Sequence, residues 1–252
     1  YLAKSYAIHF ALQYVNKRFL HRKEAEMQEI EALAAGMKAY STWNTRDTVQ
    51  ECREACGGKG YLSENRFGAL KNDTEVYTTF EGDNTVLMNL VAKNRLSEFR
   101  NQFGEMNAVS LFNYVVDQAK TSITYKNPFA TRNTDENHLA DPEFHLHAFQ
   151  FREKEILASA AKRIKKLLDS GLDSFDAFNI AQPHLINVGQ AYLEGVVLEQ
   201  FQLQIETTND KGSKAILSKL CQLYALSTIE KNASWYLEQG YMEGVKTKAI
   251  RK

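Results

Sequence analysis

Hydrophobic residues recur every three to four positions along most of this chain, and strand-like alternation is scarce, so the pattern predicts helices. Only three prolines interrupt it, Pro128, Pro142 and Pro183. Residues 1–20 place Tyr6, Phe10, Tyr14 and either Leu12 or Val15 on one stripe. A second helix is predicted over residues 27–56, with Ile30, Leu33, Met37, Tyr40, Thr48 and Cys52 recurring along it. Gly57 and Gly58 follow, and glycine there can close a helix with a left-handed turn. Residues 59–80 read as loop. Asn84 reads as the N-cap of a third helix carrying Val86, Leu87, Leu90, Val91 and Leu96.

A short helix is predicted over residues 108–120, and the polar run 121–141 reads as a linker. Asp141-Pro142-Glu143 then supplies an N-cap, a first-turn proline and an acid for the helix dipole. That helix should reach about residue 170, where Gly171 ends it. Two long helices are expected after it, over 174–207, with Pro183 marking a kink, and over 214–239. Phe175, Phe178, Tyr192, Tyr224 and Trp235 are assigned to the core. The expected fold class is all-α, two helical bundles in series: residues 1–120, a linker over 121–141, and residues 142–252.

Composition narrows the partners. Lysine plus arginine equals aspartate plus glutamate at 31 each, so net charge gives no reason to expect nucleic acid or an anionic membrane surface. No apolar run approaches the ~20 residues of a membrane span. Arg152, Lys154, Lys162, Arg163, Lys165 and Lys166 read as a solvated basic surface. Of the three cysteines, Cys52, Cys56 and Cys221, the pair Cys52 and Cys56 sits four apart on one helix face and reads as two small buried side chains in a reducing compartment. His138, His145 and His147 with Asp141 can be set around a metal on paper, but two residues apart on a helix means diverging faces. No metal site is expected. The chain starts without Met inside a helical pattern, so it is expected to be a piece of a longer protein. Its final Ala249-Ile250-Arg251-Lys252 is not a Ser-Lys-Leu-type address.

The candidate chemistry sits in two stretches. One is Cys52-Arg53-Glu54-Ala55-Cys56-Gly57-Gly58-Lys59-Gly60-Tyr61; the other is Thr79-Phe80-Glu81-Gly82-Asp83-Asn84-Thr85. Glu81 follows an aromatic residue and precedes a glycine that leaves room for a ligand. Against apolar walls its carboxyl would be raised by desolvation toward the ~6–7 of a general base. Otherwise it is one of 31 acids facing water. Taken by themselves, Gly57, Gly58 and Gly60 are better explained by a helix end that needs a left-handed residue than by a ligand.

These two motifs, in this order and spacing, resemble the acyl-CoA oxidases, a branch of the acyl-CoA dehydrogenase flavoprotein superfamily. That family carries a Gly-Gly-x-Gly-Tyr corner and then Phe-Glu-Gly-(Asp/Glu)-Asn. Tyr6-Ala7-Ile8-His9-Phe10 and residues 31–39 also read like oxidase helices. The resemblance implies a dehydrogenase C-terminal-type bundle for 1–120 and the oxidases' additional C-terminal helical domain for 142–252. It implies that Glu81 removes the α-proton of a fatty acyl-CoA while the β-hydrogen leaves as hydride to FAD, giving a trans-2-enoyl-CoA in fatty acid β-oxidation. The thioester oxygen would accept from the backbone N–H of Glu81 and from a flavin hydroxyl.

By the same match Gly82 contacts substrate, and Glu54, Gly57, Gly58, Asp83, Asn84 and Thr85 contact FAD. The glycine corner would meet the FAD of a neighbouring subunit, so a homodimer or higher oligomer is implied. Lys59 stands where oxidases often have His. The spacer over 62–78, with Glu64, Arg66, Lys71, Asp73 and Glu75, is more polar than is common in eukaryotic oxidases. That suits a bacterial, cytoplasmic protein, with a peroxisomal one as the eukaryotic alternative. The family's N-terminal helical domain and middle β-domain have no counterpart here, so this chain by itself is expected to bind FAD poorly and to be inactive. Two rival readings remain: a related flavoprotein acting on another substrate, and a non-enzymatic helical interaction module.

Overall fold

The computed structural model describes residues 1–104 and 128–252, and every regular element among them is helical. In chain order these are α1 (Leu2–Leu20), α2 (Met27–Ala55), α3 (Phe67–Glu75), α4 (Asn84–Gly104), α5 (Pro128–Arg132), α6 (Glu136–Ala140), α7 (Pro142–Asp169), α8 (Ser174–Thr207), α9 (Lys211–Lys231), α10 (Ala233–Glu238) and α11 (Gly244–Ile250). The helix expected over 108–120 and the first part of the expected linker lie outside the described residues. The remainder of that linker is not irregular, because α5 and α6 occupy much of 128–141.

Helix α8 organises the rest. Its buried residues, among them Ala177, Ala181, Leu185, Val188, Leu193, Val197 and Phe201, lie on several sides of the helix, as expected of a helix enclosed by others. It packs against α7, α4, α1, α9 and α2. At Gly189 an added Cβ would lie 2.9 Å from the Met88 carbonyl oxygen, so α4 and α8 cross too closely for any side chain. Each Leu or Phe fully buried on α8 contributes about 1.5–3 kcal/mol. The helix runs on through Pro183; the ring removes one N–H, and both Pro183 and Asn179, whose carbonyl would have received it, are exposed.

One apolar core joins the early and late helices. Leu33 and Met37 of α2 share it with Phe149 of α7, Phe201 of α8 and Tyr224 of α9. The Phe10 and Phe201 rings lie 5.3 Å apart, and the Tyr40 and Tyr224 hydroxyls meet at 3.3 Å.

Helix ends follow their chemistry. Asp141 Oδ1 accepts from Glu143 N at 2.9 Å to start α7 behind Pro142, and Asp173 caps α8 on Phe175 and Asp176. Several expectations give way. The buried side of α1 is Ala3, Ala7, Ile8, Ala11 and Val15, while Tyr6 and Leu12 are exposed, because small residues let α1 approach α8. Residues 59–80 form three 3-10 turns and α3 rather than loop. On α4 the buried apolar residues among those described are Met88, Val91 and Ala92, with Val86 and Leu90 exposed. The last long helix breaks at Asn232, whose amide donates to the Thr228 carbonyl at 2.8 Å. Phe175 is 73% exposed in the first turn of α8. Cys52 and Cys56 are exposed, and only Cys221 is buried.

Candidate functional site

Three residues in a row set the geometry around Glu81. Val76 O accepts from Phe80 N at 2.8 Å, closing the preceding turn. Glu81 then takes φ +54° and Gly82 φ +101°, and a left-handed conformation costs a non-glycine residue roughly 1–2 kcal/mol. Helix α4 begins directly afterwards. Its cap is Asp83 and not Asn84: Asp83 Oδ1 accepts from Thr85 N at 2.8 Å, and the Asp83 carbonyl accepts from Leu87 N at 2.9 Å.

Asn84 does different work. It is 1% exposed, and its Nδ2 donates to Thr42 Oγ1 at 2.9 Å and to the Ala39 carbonyl at 3.3 Å. Lys38 of α2 completes the arrangement, with Nζ donating to the Gly82 carbonyl at 2.7 Å and to Asn84 Oδ1 at 2.9 Å. The turn is thereby fastened to the middle of α2. An ammonium standing alone inside the apolar run 32–40 is the signal that could have marked Lys38, which sequence reasoning passed over.

Glu81 itself is exposed, and Phe80 beside it is 63% exposed. The apolar walls expected around the carboxylate are therefore not supplied by the described residues. Both side chains stand on the outer side of a turn whose inner side is spent on α2.

The glycine corner lies elsewhere. Gly57, at φ +55°, follows the last turn of α2 and closes it. A Cβ on Gly57 or Gly58 would meet nothing within 4 Å, whereas one on Gly60 would fall 2.0 Å from the Arg53 carbonyl oxygen. Gly60 is thus demanded by packing, and the backbone at Gly57–Gly58 is open to a ligand. Around it the Arg53 guanidinium lies 4.7 Å from the Tyr61 ring centre, and Gln50 Oε1 accepts from Lys71 Nζ at 2.7 Å, tying α3 to α2. Glu54 is exposed on the same last turn and accepts from Gln50. From Lys38 to Ala55 the axis of α2 advances roughly 25 Å. The structure therefore gathers Glu81, Gly82, Asp83, Asn84 and Thr85 at one place and Glu54, Gly57 and Gly58 at another.

The histidines are not arranged around a metal among the described residues. His145 Nε2 lies 2.7 Å from the Leu139 carbonyl, and His138 Nε2 lies 2.9 Å from Lys246 Nζ. Among the described residues no group of three His, Cys, Asp or Glu is arranged to hold a metal ion, and no helix is long and apolar enough to cross a membrane. Arg152, assigned to a basic surface, is buried and paired with Glu194.

Two family models match the chain: one described as "Acyl-CoA oxidase, C-alpha1 domain" over residues 1–96, and one described as "Acyl-CoA oxidase" over residues 141–252. The chain is 36% identical over 255 residues to a peroxisomal acyl-coenzyme A oxidase 2 of Arabidopsis thaliana, covering 100% of this chain and 37% of that protein. It is 34% identical over 238 residues to an acyl-coenzyme A oxidase-like protein of Mus musculus, covering 92% and 36%. Arabidopsis thaliana acyl-CoA oxidase 1 superposes with a TM-score of 0.82 at 24% identity, over 99% of this chain and 38% of that one. Acyl-CoA oxidase-1 of Caenorhabditis elegans, in a structure described as complexed with FAD and ATP, gives 0.82 at 20% identity, over 99% and 37%. The chain thus spans little more than a third of the length of these relatives.

Proposed function

Since the chain belongs to the acyl-CoA oxidase family, we propose that it is the C-terminal portion of an FAD-dependent acyl-CoA oxidase that converts fatty acyl-CoA to trans-2-enoyl-CoA, with Glu81 as the base. The observation that carries this is the Glu81 turn: a carboxylate held at a left-handed φ, at the start of α4, on a mount fastened to α2. A turn needed only for packing could relax Glu81 into an ordinary conformation. Holding one carboxylate in a costly position is what a proton transfer requires.

FAD, when bound, accepts the β-hydride. The residues that would hold it are Asp83 and Thr85 at the turn and Glu54, Gly57 and Gly58 at the corner; Asn84, buried and spent on α2, would position the turn from beneath and not touch the cofactor. The corner fits such a role because its exposed backbone would have its open space filled by a Cβ. Glu81 takes the α-proton at its carboxylate. Its backbone N–H donates to the thioester oxygen and stabilises the charge that develops there. Gly82, with no side chain, lets the acyl chain lie close to the turn. The roughly 25 Å between turn and corner supports a reading in which the corner serves a flavin held by a neighbouring subunit, in a homodimer or larger assembly.

In this reading residues 1–120 carry the base and part of the cofactor site, and 142–252 form the added helical domain that braces them through α8. The exposure of Glu81 and Phe80 supports walls supplied from outside the described residues, and the 252 residues alone should bind FAD weakly and turn over nothing. The peroxisomal names of the curated relatives support the peroxisomal alternative for localisation.

The test is anaerobic addition of a saturated acyl-CoA to the full-length protein and to its Glu81→Gln variant. Bleaching of the flavin band in the parent alone supports the assignment. Equal bleaching in both, or none with any chain length, refutes it.

A further inference from the structure

The Glu81 turn is held by an ammonium that the chemistry so far leaves without a role. Lys38 is half-buried on α2 between the fully buried Met37 and Ala39, a position where an apolar residue would be simpler. Its Nζ donates to two oxygens of the turn, the Gly82 carbonyl at 2.7 Å and Asn84 Oδ1 at 2.9 Å. An ammonium can only donate, so it also fixes which way the Asn84 amide faces. Nδ2 then points back to Thr42 Oγ1 and to the Ala39 carbonyl. Thr42 Oγ1 in turn donates to the Lys38 carbonyl at 2.9 Å. The network closes on itself, with Lys38 at both its start and its end.

We infer that Lys38 is a positioning residue for the reaction: by gripping the carbonyl of Gly82 it holds the left-handed Glu81–Gly82 pair in the one conformation that presents the carboxylate. The inference rests on Glu81 being the base. Glu81 at +54° and Gly82 at +101° would otherwise relax, because glycine permits many alternatives. Rotation at Gly82 would swing the carboxylate away from its target while leaving α4, capped by Asp83, in place. The grip acts on backbone and not on substrate, so its loss should slow proton removal without weakening acyl-CoA binding. A misplacement near 1 Å costs proton transfer on the order of 100-fold.

The experiment uses the full-length, FAD-loaded protein in a Cys52→Ser/Cys56→Ser background. Lys38→Met keeps the length of the side chain and removes the ammonium. Lys38→Cys, treated with 2-bromoethylamine, restores an ammonium at nearly the same reach. The expected result for Lys38→Met is a roughly 10- to 100-fold slower flavin bleaching by saturated acyl-CoA, with the substrate dissociation constant nearly unchanged. Amide exchange over residues 80–87 should be faster, and the alkylated Lys38→Cys variant should recover most of the rate.

Parent-like bleaching by Lys38→Met, while Glu81→Gln is dead, overturns the role of Lys38 and leaves Glu81 as the base. A slow Lys38→Met whose alkylated counterpart stays slow also overturns it, since only packing would then have been lost. Parent-like bleaching by Glu81→Gln removes the base assignment and this inference together.

Discussion

Arg152 on α7 and Glu194 on α8 meet in the interior, the guanidinium donating to the carboxylate across 42 residues of sequence. They are 6% and 2% exposed. Gln190 Nε2 donates to the other carboxylate oxygen at 2.9 Å, and the Tyr224 hydroxyl donates to the Glu194 carbonyl at 3.3 Å. The pair therefore sits where α2, α7, α8 and α9 converge.

Breaking that pair should cost more than deleting it. Arg152→Met leaves a buried carboxylate without its cation, and removing one partner of a buried ion pair costs about 3–5 kcal/mol. The double variant Arg152→Met/Glu194→Met leaves no orphaned charge and should be clearly more stable than Arg152→Met. Urea unfolding of the three proteins measures the difference. A double variant as weak as the single would show that the pair's net contribution is itself large.

The two glycines of the corner should separate by effect. Gly58→Ala adds a methyl to open space and should change stability by less than about 0.5 kcal/mol, yet lower the flavin retained by the full-length protein. Gly60→Ala drives a methyl into the Arg53 carbonyl and should cost about 1–3 kcal/mol. Flavin absorbance per protein, read beside an unfolding curve, distinguishes them. Unchanged flavin in Gly58→Ala would remove the corner from the cofactor site.

Thiol reactivity should follow exposure. Cys52 and Cys56 lie open at the end of α2, and burial pushes the Cys221 thiol up to about 12. Because the thiolate is the reacting species, Ellman's reagent should titrate two thiols of the folded 252-residue chain promptly and the third only on unfolding. Three prompt thiols would mean that α9 opens readily from the core.

These outcomes also mark what a reader of the sequence could and could not see. The start of α7 was legible because Asp141-Pro142 is a local device, and the end of α2 because Gly57 supplies its own left-handed turn. Glu81 was legible as a candidate through its neighbours in sequence. What failed depends on distant partners. Arg152 looked like surface because Glu194 lies 42 residues on, in the next helix, and α3 looked like loop because part of its hold comes from Lys71 reaching Gln50. The cap of α4 was misplaced by one residue, since Asp83 and Asn84 are both able to cap; burial of Asn84 against α2 decided between them. Lys38 could be noticed as a lone charge in an apolar run, but its role could not be read, because its oxygens arrive 44 and 46 residues later.

The lysine of α11 gives a prediction in pH. Lys246 is 2% exposed, its Nζ donating to the Ala130 carbonyl at 3.0 Å and lying 2.9 Å from His138 Nε2, with the Phe144 ring centre 4.0 Å away. Burial lowers its ammonium to about 8 from 10.5. The unfolded chain therefore binds this proton up to pH 10.5 while the folded chain releases it from about 8, so this group makes stability rise with pH across that window. His138 adds a second slope below it. Burial, and then the Lys246 charge, lower its imidazolium below 6.5, so folding loses stability as pH falls beneath 6.5 and the unfolded chain alone takes the proton. Lys246→Met should remove this group's contribution to the upper slope and shrink that of His138 to the lower one, because the charge beside His138 is gone. Urea unfolding of parent and variant at pH 5, 6, 7, 8, 9 and 10 measures both slopes. A difference between the two proteins that stays constant from pH 8 to pH 10 would show that Lys246 keeps its proton in the folded chain.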